Sequence, residues 1–179
     1  MNSTTSHTIT SKNSFVLENN WAFIDTQNLC RCLKEEGWKI DWSRFRSYLR
    51  DKLNVTKAVA FLGYIKEYEY LYQIMRKAGF TLEFREVTLL ANGEVEGGNV
   101  DTDLTSYAMD YKTEYYKAII VADDRDYIRT VKSLDRQNKL KLILSPHTFR
   151  NTSQLIKQAV NSRLILSMYH LRNLIGKNN

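Results

Sequence analysis

The chain has 179 residues, 43% hydrophobic and 26% charged, enough for one domain with its own core. Its formal net charge of +6 and pI of about 9.2 favour phosphate-rich partners, although a generic solvated basic surface explains the charge equally well. No apolar stretch approaches the roughly eighteen residues of a membrane-spanning helix, and the N-terminal MNSTTSHTITSKNS lacks the basic and apolar regions of a secretory signal.

Residues 1–19 are therefore expected to be a flexible polar tail and the protein to be cytoplasmic, with no membrane partner. WAFID (21–25) is a short apolar run that ends in a carboxylate. The next periodic stretch runs from about Asp41 to Leu53, where Trp42, Phe45, Tyr48, Leu49 and Leu53 recur at helical steps. AVAFLG (58–63) reads as a buried strand. EYLYQIMRKAG (69–79) reads as a helix capped by Gly79, and TLEFREV (81–87) as a strand with one wetter face.

Asn92-Gly93 is a hairpin-turn signal, and Gly97-Gly98 leads to a helix expected from Asp101 to about Tyr116. KAIIVA (117–122) is a continuous apolar strand of the parallel-sheet type. A helix over 127–136, a strand over 140–144, a helix near 152–161, an extended piece around Leu164 and a helix near 168–175 complete the chain. This alternation predicts a single domain over 20–176. Its fold is a three-layer α/β arrangement with a mostly parallel central sheet flanked by helices.

Cys30 and Cys32 are spaced i, i+2, which is poor for a disulfide, and no second cysteine pair makes a zinc site. Two thiols in a reducing compartment are expected. His7, His147 and His170 lie outside the motifs described next and read as surface or packing residues.

VADDRDY (121–127) places Asp123, Asp124 and Asp126 just past a buried strand. Asp25 ends the first strand, and Asp101 opens the helix before the fourth. In open parallel sheets ligands bind beyond the carboxyl ends of the strands, so these acids share one rim if the two strands are neighbours. Asp126 or Asp101 can also be a helix cap, whereas Asp25 has no evident capping role. Asp103 lies about 200° around its helix from Asp101 and so serves another target. Clustered acids repel one another unless a cation compensates, and a hydrated divalent ion is the natural one.

FIDTQNL (23–29), NVDTDLTSYAMD (99–110) and VADDRDY, in that order, resemble the three motifs of NYN domains, a PIN-like nuclease family; the C-terminal run resembles its bacterial LabA-like branch. The resemblance implies a Rossmann-like PIN fold and a Mg²⁺- or Mn²⁺-dependent ribonuclease. It implies that Asp25, Asp101, Asp124 and Asp126 are the catalytic and metal-holding acids, with Asn28 orienting Asp25 or a phosphate. Thr26 stands where the family usually has Gly, Gly98 where many relatives have Lys, and Ala122-Asp123 where Ser-Gly is usual.

Arg31, Lys34, Arg125 and Arg129 are the cations expected near the rim, where they would contact the phosphate backbone of RNA. The tyrosines, eleven in all, are stacking candidates for unpaired bases but at helical spacing read more readily as core. A receiver domain is excluded because its acid pair follows the first strand, and a DxD phosphatase because Thr26-Gln27 follows Asp25. A P-loop is excluded because the glycine-rich stretch lacks G-K-[ST]. The remaining alternative is an NYN-like module that binds RNA or protein without cutting. A homo-oligomer is left open.

Overall fold

Every residue of Asn20–Asp25 is buried, as a strand covered on both faces requires. The computed structural model describes residues 18–89, 95–97 and 100–178, so the expected tail falls almost wholly outside the described residues. The elements run β1 (Asn20–Asp25), α1 (Thr26–Glu35), α2 (Trp42–Leu53), β2 (Val55–Gly63), α3 (Glu69–Ala78), β3 (Thr81–Arg85), β4 (Val87–Leu89), β5 (Val95–Gly97), α4 (Asp101–Asp110) and β6 (Ala118–Val121). Then follow α5 (Ile128–Arg136), β7 (Leu140–Ser145), α6 (Gln154–Ala159), β8 (Ile165–Ser167) and α7 (Arg172–Ile175), with short 3-10 turns between some of them.

Six strands form one parallel sheet in the order β3-β2-β1-β6-β7-β8. Period-2 alternation divides inner strands such as β1 and β6 between two cores. Ala22 and Ile24 face Leu29 and Leu33 of α1, Phe45 and Leu49 of α2, and Met75 of α3. Trp21 and Phe23 face the opposite core, with Leu104 and Ala108 of α4, Val131 and Leu134 of α5, and Ile156 of α6. The three layers are those expected. Among the described residues no helix is long and apolar enough to cross a membrane.

The strand expected over 58–63 opens earlier, at Val55, and the helix expected near 168–175 is a 3-10 turn over Met168–Leu171 followed by α7. Three further elements depart from the sequence reading. The strand expected over 81–87 stops at Arg85, because its one neighbour, β2, ends at the facing Gly63. Val87 instead opens β4, which pairs antiparallel with β5; the Asn92-Gly93 turn between them, and Gly98, lie outside the described residues. The helix expected to reach Tyr116 ends at Asp110. By Tyr116 the backbone already pairs with the start of β1, its N–H donating to Asn19 O at 2.7 Å, so the chain must straighten into β6. The third is α1, which the sequence reading did not anticipate. Its buried apolar face consists of Leu29, Cys32 and Leu33, too short a stripe to announce a helix by periodicity.

Chain direction reverses its march across the sheet at β1. The chain moves outward from β1 through β2 to β3, then returns to the other side of β1 with β6. The crevice between the carboxyl ends of β1 and β6 is therefore the topological switch point.

Candidate metal and phosphate site at the β1–β6 switch point

Ile24 pairs with Val121, so Asp25 and the Asp123–Asp126 segment leave the sheet from one edge. Asp25 is 5% exposed. Its Oδ1 accepts a hydrogen bond from the Asn28 backbone N–H at 2.9 Å, which makes it the N-cap of α1. This corrects the expectation that Asp25 has no capping role: α1 begins at the very next residue. Its Oδ2 accepts from the Tyr127 hydroxyl at 3.0 Å, and that hydroxyl is also hydrogen-bonded to Asp101.

Asn28 joins the two strand ends. Its Oδ1 accepts from the Asp123 backbone N–H at 2.9 Å, and its Nδ2 donates to Asp124 Oδ2 at 3.5 Å. Asp124 Oδ1 accepts from the Asp126 N–H at 3.1 Å, so Asp124, and not Asp126, caps the 3-10 turn Arg125–Tyr127. Asp101 is the first residue of α4 and follows its N-cap, Val100, so it does not cap that helix either. Asp103 turns away, as expected, and pairs with Arg85 at 3.2 Å.

Asp123 has a purely structural environment. It accepts from Ser145 Oγ at 2.8 Å and from the Ser153 N–H at 3.0 Å. It thereby ties the loop after β6 to the end of β7 and the start of α6. Sequence reasoning offered no account of Asp123, because both partners lie more than twenty residues away.

Asp25, Gln27, Asn28, Arg31, Val100, Asp101, Asp124 and Asp126 line one cleft of about 410 Å³. All four expected acids, together with Asn28 and Arg31, are thus brought to it. Arg125 and Arg129 are exposed and do not line it. Lys34, one turn beyond Arg31 on α1, lines a second cleft of about 520 Å³ with Lys39, Arg172 and Lys177, and no acid lines that cleft.

Burial raises the Asp25 carboxyl above its usual range, and the charges of Asp101 and Asp124 push in the same direction, against the hydrogen bonds from Asn28 and Tyr127. Burial, then the Asp25 and Asp101 charges, push the Tyr127 phenol far upward, so it stays protonated and acts as a donor. A cation in the cleft would relieve this mutual repulsion, and carboxylates are the donors a hard divalent ion takes. Among the described residues, the group whose ligand atoms all lie within 4.8 Å of one another is Cys32, Glu35 and His147. The cleft acids are more widely spread, which suits an ion that keeps several of its waters.

The NYN domain family model matches residues 21–167. Among solved structures, the crystal structure of a protein of unknown function from Vibrio parahaemolyticus RIMD 2210633 aligns with a TM-score of 0.71 at 20% identity, covering 87% of this chain and 95% of that one. That likeness shows the fold. No curated protein matches the chain.

Proposed function

Given that the chain belongs to the NYN domain family, whose fold is nuclease-like, we propose that it is a divalent-metal-dependent endoribonuclease hydrolysing RNA phosphodiester bonds at the acidic cleft. The observation that carries this reading is the gathering of Asp25, Asp101 and Asp124 from three separate elements around one cleft that Arg31 also lines.

Asp25, Asp101 and Asp124 would hold Mg²⁺ or Mn²⁺, with Asp126 beside them. Such an ion supplies an activated water and neutralises phosphate oxygens. The remaining work belongs to the chain. The Tyr127 hydroxyl donates its one hydrogen to Asp25 and lies within hydrogen-bonding reach of Asp101, so it holds Asp25 in place and can turn to Asp101. Asn28 holds Asp124 against the end of β1. Arg31 offers a bidentate donor to a phosphate entering the cleft. The second, cation-lined cleft begins one turn further along α1, so a phosphodiester strand lying on that helix would meet positive charge beyond the scissile bond. Arg125 and Arg129, exposed beyond the cleft, would contact RNA only outside the cutting position.

In this reading residues 20–176 act as one domain in the cytoplasm, and the C-terminal run supports a place in the LabA-like branch. The test is cleavage of labelled mixed-sequence RNA by the full chain with Mg²⁺ or Mn²⁺. Asp124→Asn is expected to reduce the rate by at least ~100-fold while leaving the fold intact. If the wild type binds RNA but cuts it with neither ion, or if Asp124→Asn cuts equally well, the enzymatic reading fails and an RNA-binding module replaces it.

A further inference from the structure

We propose that Cys32, Glu35 and His147 form a second metal site, of zinc type, between α1 and the loop that follows β7. One ligand atom from each residue lies within 4.8 Å of the other two. Cys32 and Glu35 stand i, i+3 on α1 and so share a face. His147 arrives from more than a hundred residues away, with its Nε2 3.9 Å from Glu35 Oε2.

The strongest support lies behind the histidine. Its Nδ1 is 3.1 Å from Glu36 Oε1, and the same oxygen accepts from the Thr148 N–H at 3.2 Å and Asn151 Nδ2 at 3.1 Å. A carboxylate oxygen can only accept, so Nδ1 carries a proton, and the neutral tautomer then has its lone pair on Nε2, the nitrogen that faces Glu35. A carboxylate that fixes the far nitrogen of a histidine is the usual support of a metal-bound imidazole. Ser167 Oγ donates to His147 O at 2.6 Å and holds the backbone of the same residue. The loop therefore presents His147 in one orientation.

The donor set decides the metal class. One thiol, one imidazole and one carboxylate suit Zn²⁺ and similar borderline ions and are poor for Mg²⁺ or Ca²⁺. Cys32 is buried, whereas the Glu35 side chain is 59% exposed, so the site meets solvent on the Glu35 side, where a water would be the fourth ligand. On binding, the thiol releases its proton to solvent and sulfur becomes the ligand. Cys32 Sγ also lies 3.7 Å from Asn28 Oδ1, so the site abuts the acidic cleft through one shared residue. The inference does not depend on RNA cleavage.

Co²⁺ serves as the probe because a thiolate ligand gives it a charge-transfer band in the near ultraviolet. Titration of the metal-free full chain with Co²⁺ should produce that band at one equivalent, and Zn²⁺ should abolish it. The band should persist in Cys30→Ser and Asp124→Asn and vanish in Cys32→Ser. Zn²⁺ affinity should fall by ~10–100-fold in Glu36→Gln, which touches no metal itself. Glu35→Gln, at an exposed position, should weaken Zn²⁺ binding as well. Absence of the band in the wild type, its survival in Cys32→Ser, or Zn²⁺ affinity unchanged in both Glu35→Gln and Glu36→Gln would overturn the proposal.

Discussion

The Tyr127 hydroxyl donates to Asp25 Oδ2 at 3.0 Å across 102 residues of sequence. Tyr127 is 1% exposed and its ring packs in the core beneath β1 and β6, so Tyr127→Phe keeps the packing and deletes the donor. Two buried or half-buried carboxylates then lose a partner. The expected loss is ~1–3 kcal/mol at neutral pH, measured by urea unfolding; an unchanged midpoint would show that the bond is not formed in solution.

Asp25 makes the stability pH-dependent. Its folded carboxyl is raised above the ordinary 3.8, burial being the first cause. A raised folded value means that its stabilising contribution is complete below the unfolded value and is lost as pH rises through the folded one. Charged Asp25 is therefore a cost at neutral pH. Asp25→Asn still caps α1, and its amide can donate to Tyr127 while that hydroxyl turns to Asp101. With chelator present, the Tm of Asp25→Asn should exceed the wild type's at about pH 7, and the gap should shrink or reverse near pH 4. A gap that widens on acidification would contradict the assignment.

Divalent ions should act on the same repulsion. Mg²⁺ or Mn²⁺ at about a hundred times its Kd should stabilise the fold by ~2.7 kcal/mol, seen as a rise in Tm. Asp101→Asn combined with Asp124→Asn should remove the response, whereas Cys32→Ser should retain it, because the two proposed sites use different ligands. A response unaffected by the double substitution would place the ion elsewhere.

Asp123 is predicted to matter for folding and not for chemistry. Asp123→Ala leaves Ser145 Oγ with its contact to Thr152 at 2.9 Å alone and orphans the Ser153 N–H. A cost of ~1–3 kcal/mol follows, with partial recovery in Asp123→Asn, whose remaining oxygen can accept one of the two bonds. Equal stability of Asp123→Ala and wild type in thermal unfolding would refute the anchoring role.

Salt dependence tests the path along α1. Each phosphate contact to single-stranded RNA contributes a slope of about −0.7 in log affinity against log salt. Arg31→Ala with Lys34→Ala should therefore flatten the slope by about 1.4 and weaken binding most at low salt. A parallel shift without a change of slope would mean that neither side chain meets a phosphate.

Alternating strand and helix patterns made the layered architecture legible, since apolar runs such as AIIV, between polar helical stretches, have few other ways to be buried on both sides. The motif order also points to Asp25, Asp101 and Asp124, the acids that line one cleft. Local pattern did not reach α1, whose buried stripe is short, or the end of α4, which is set by where β6 must begin.

What only the tertiary structure decided is how the acids are held. The β1–β6 pairing places Asp25 and Asp124 on one rim, and no local pattern encodes which parallel strands become neighbours. Asn28, Tyr127 and Ser145 acquire their roles from partners far along the chain. The same holds for His147, read from sequence as a packing or surface residue, which meets Glu35 and Glu36 only after β7 has docked beside β6. Composition and periodicity record what each segment must bury. A hydrogen bond or a ligand set joins atoms that become neighbours only when the whole sheet has formed, so its members leave no mark on one another's surroundings in the sequence.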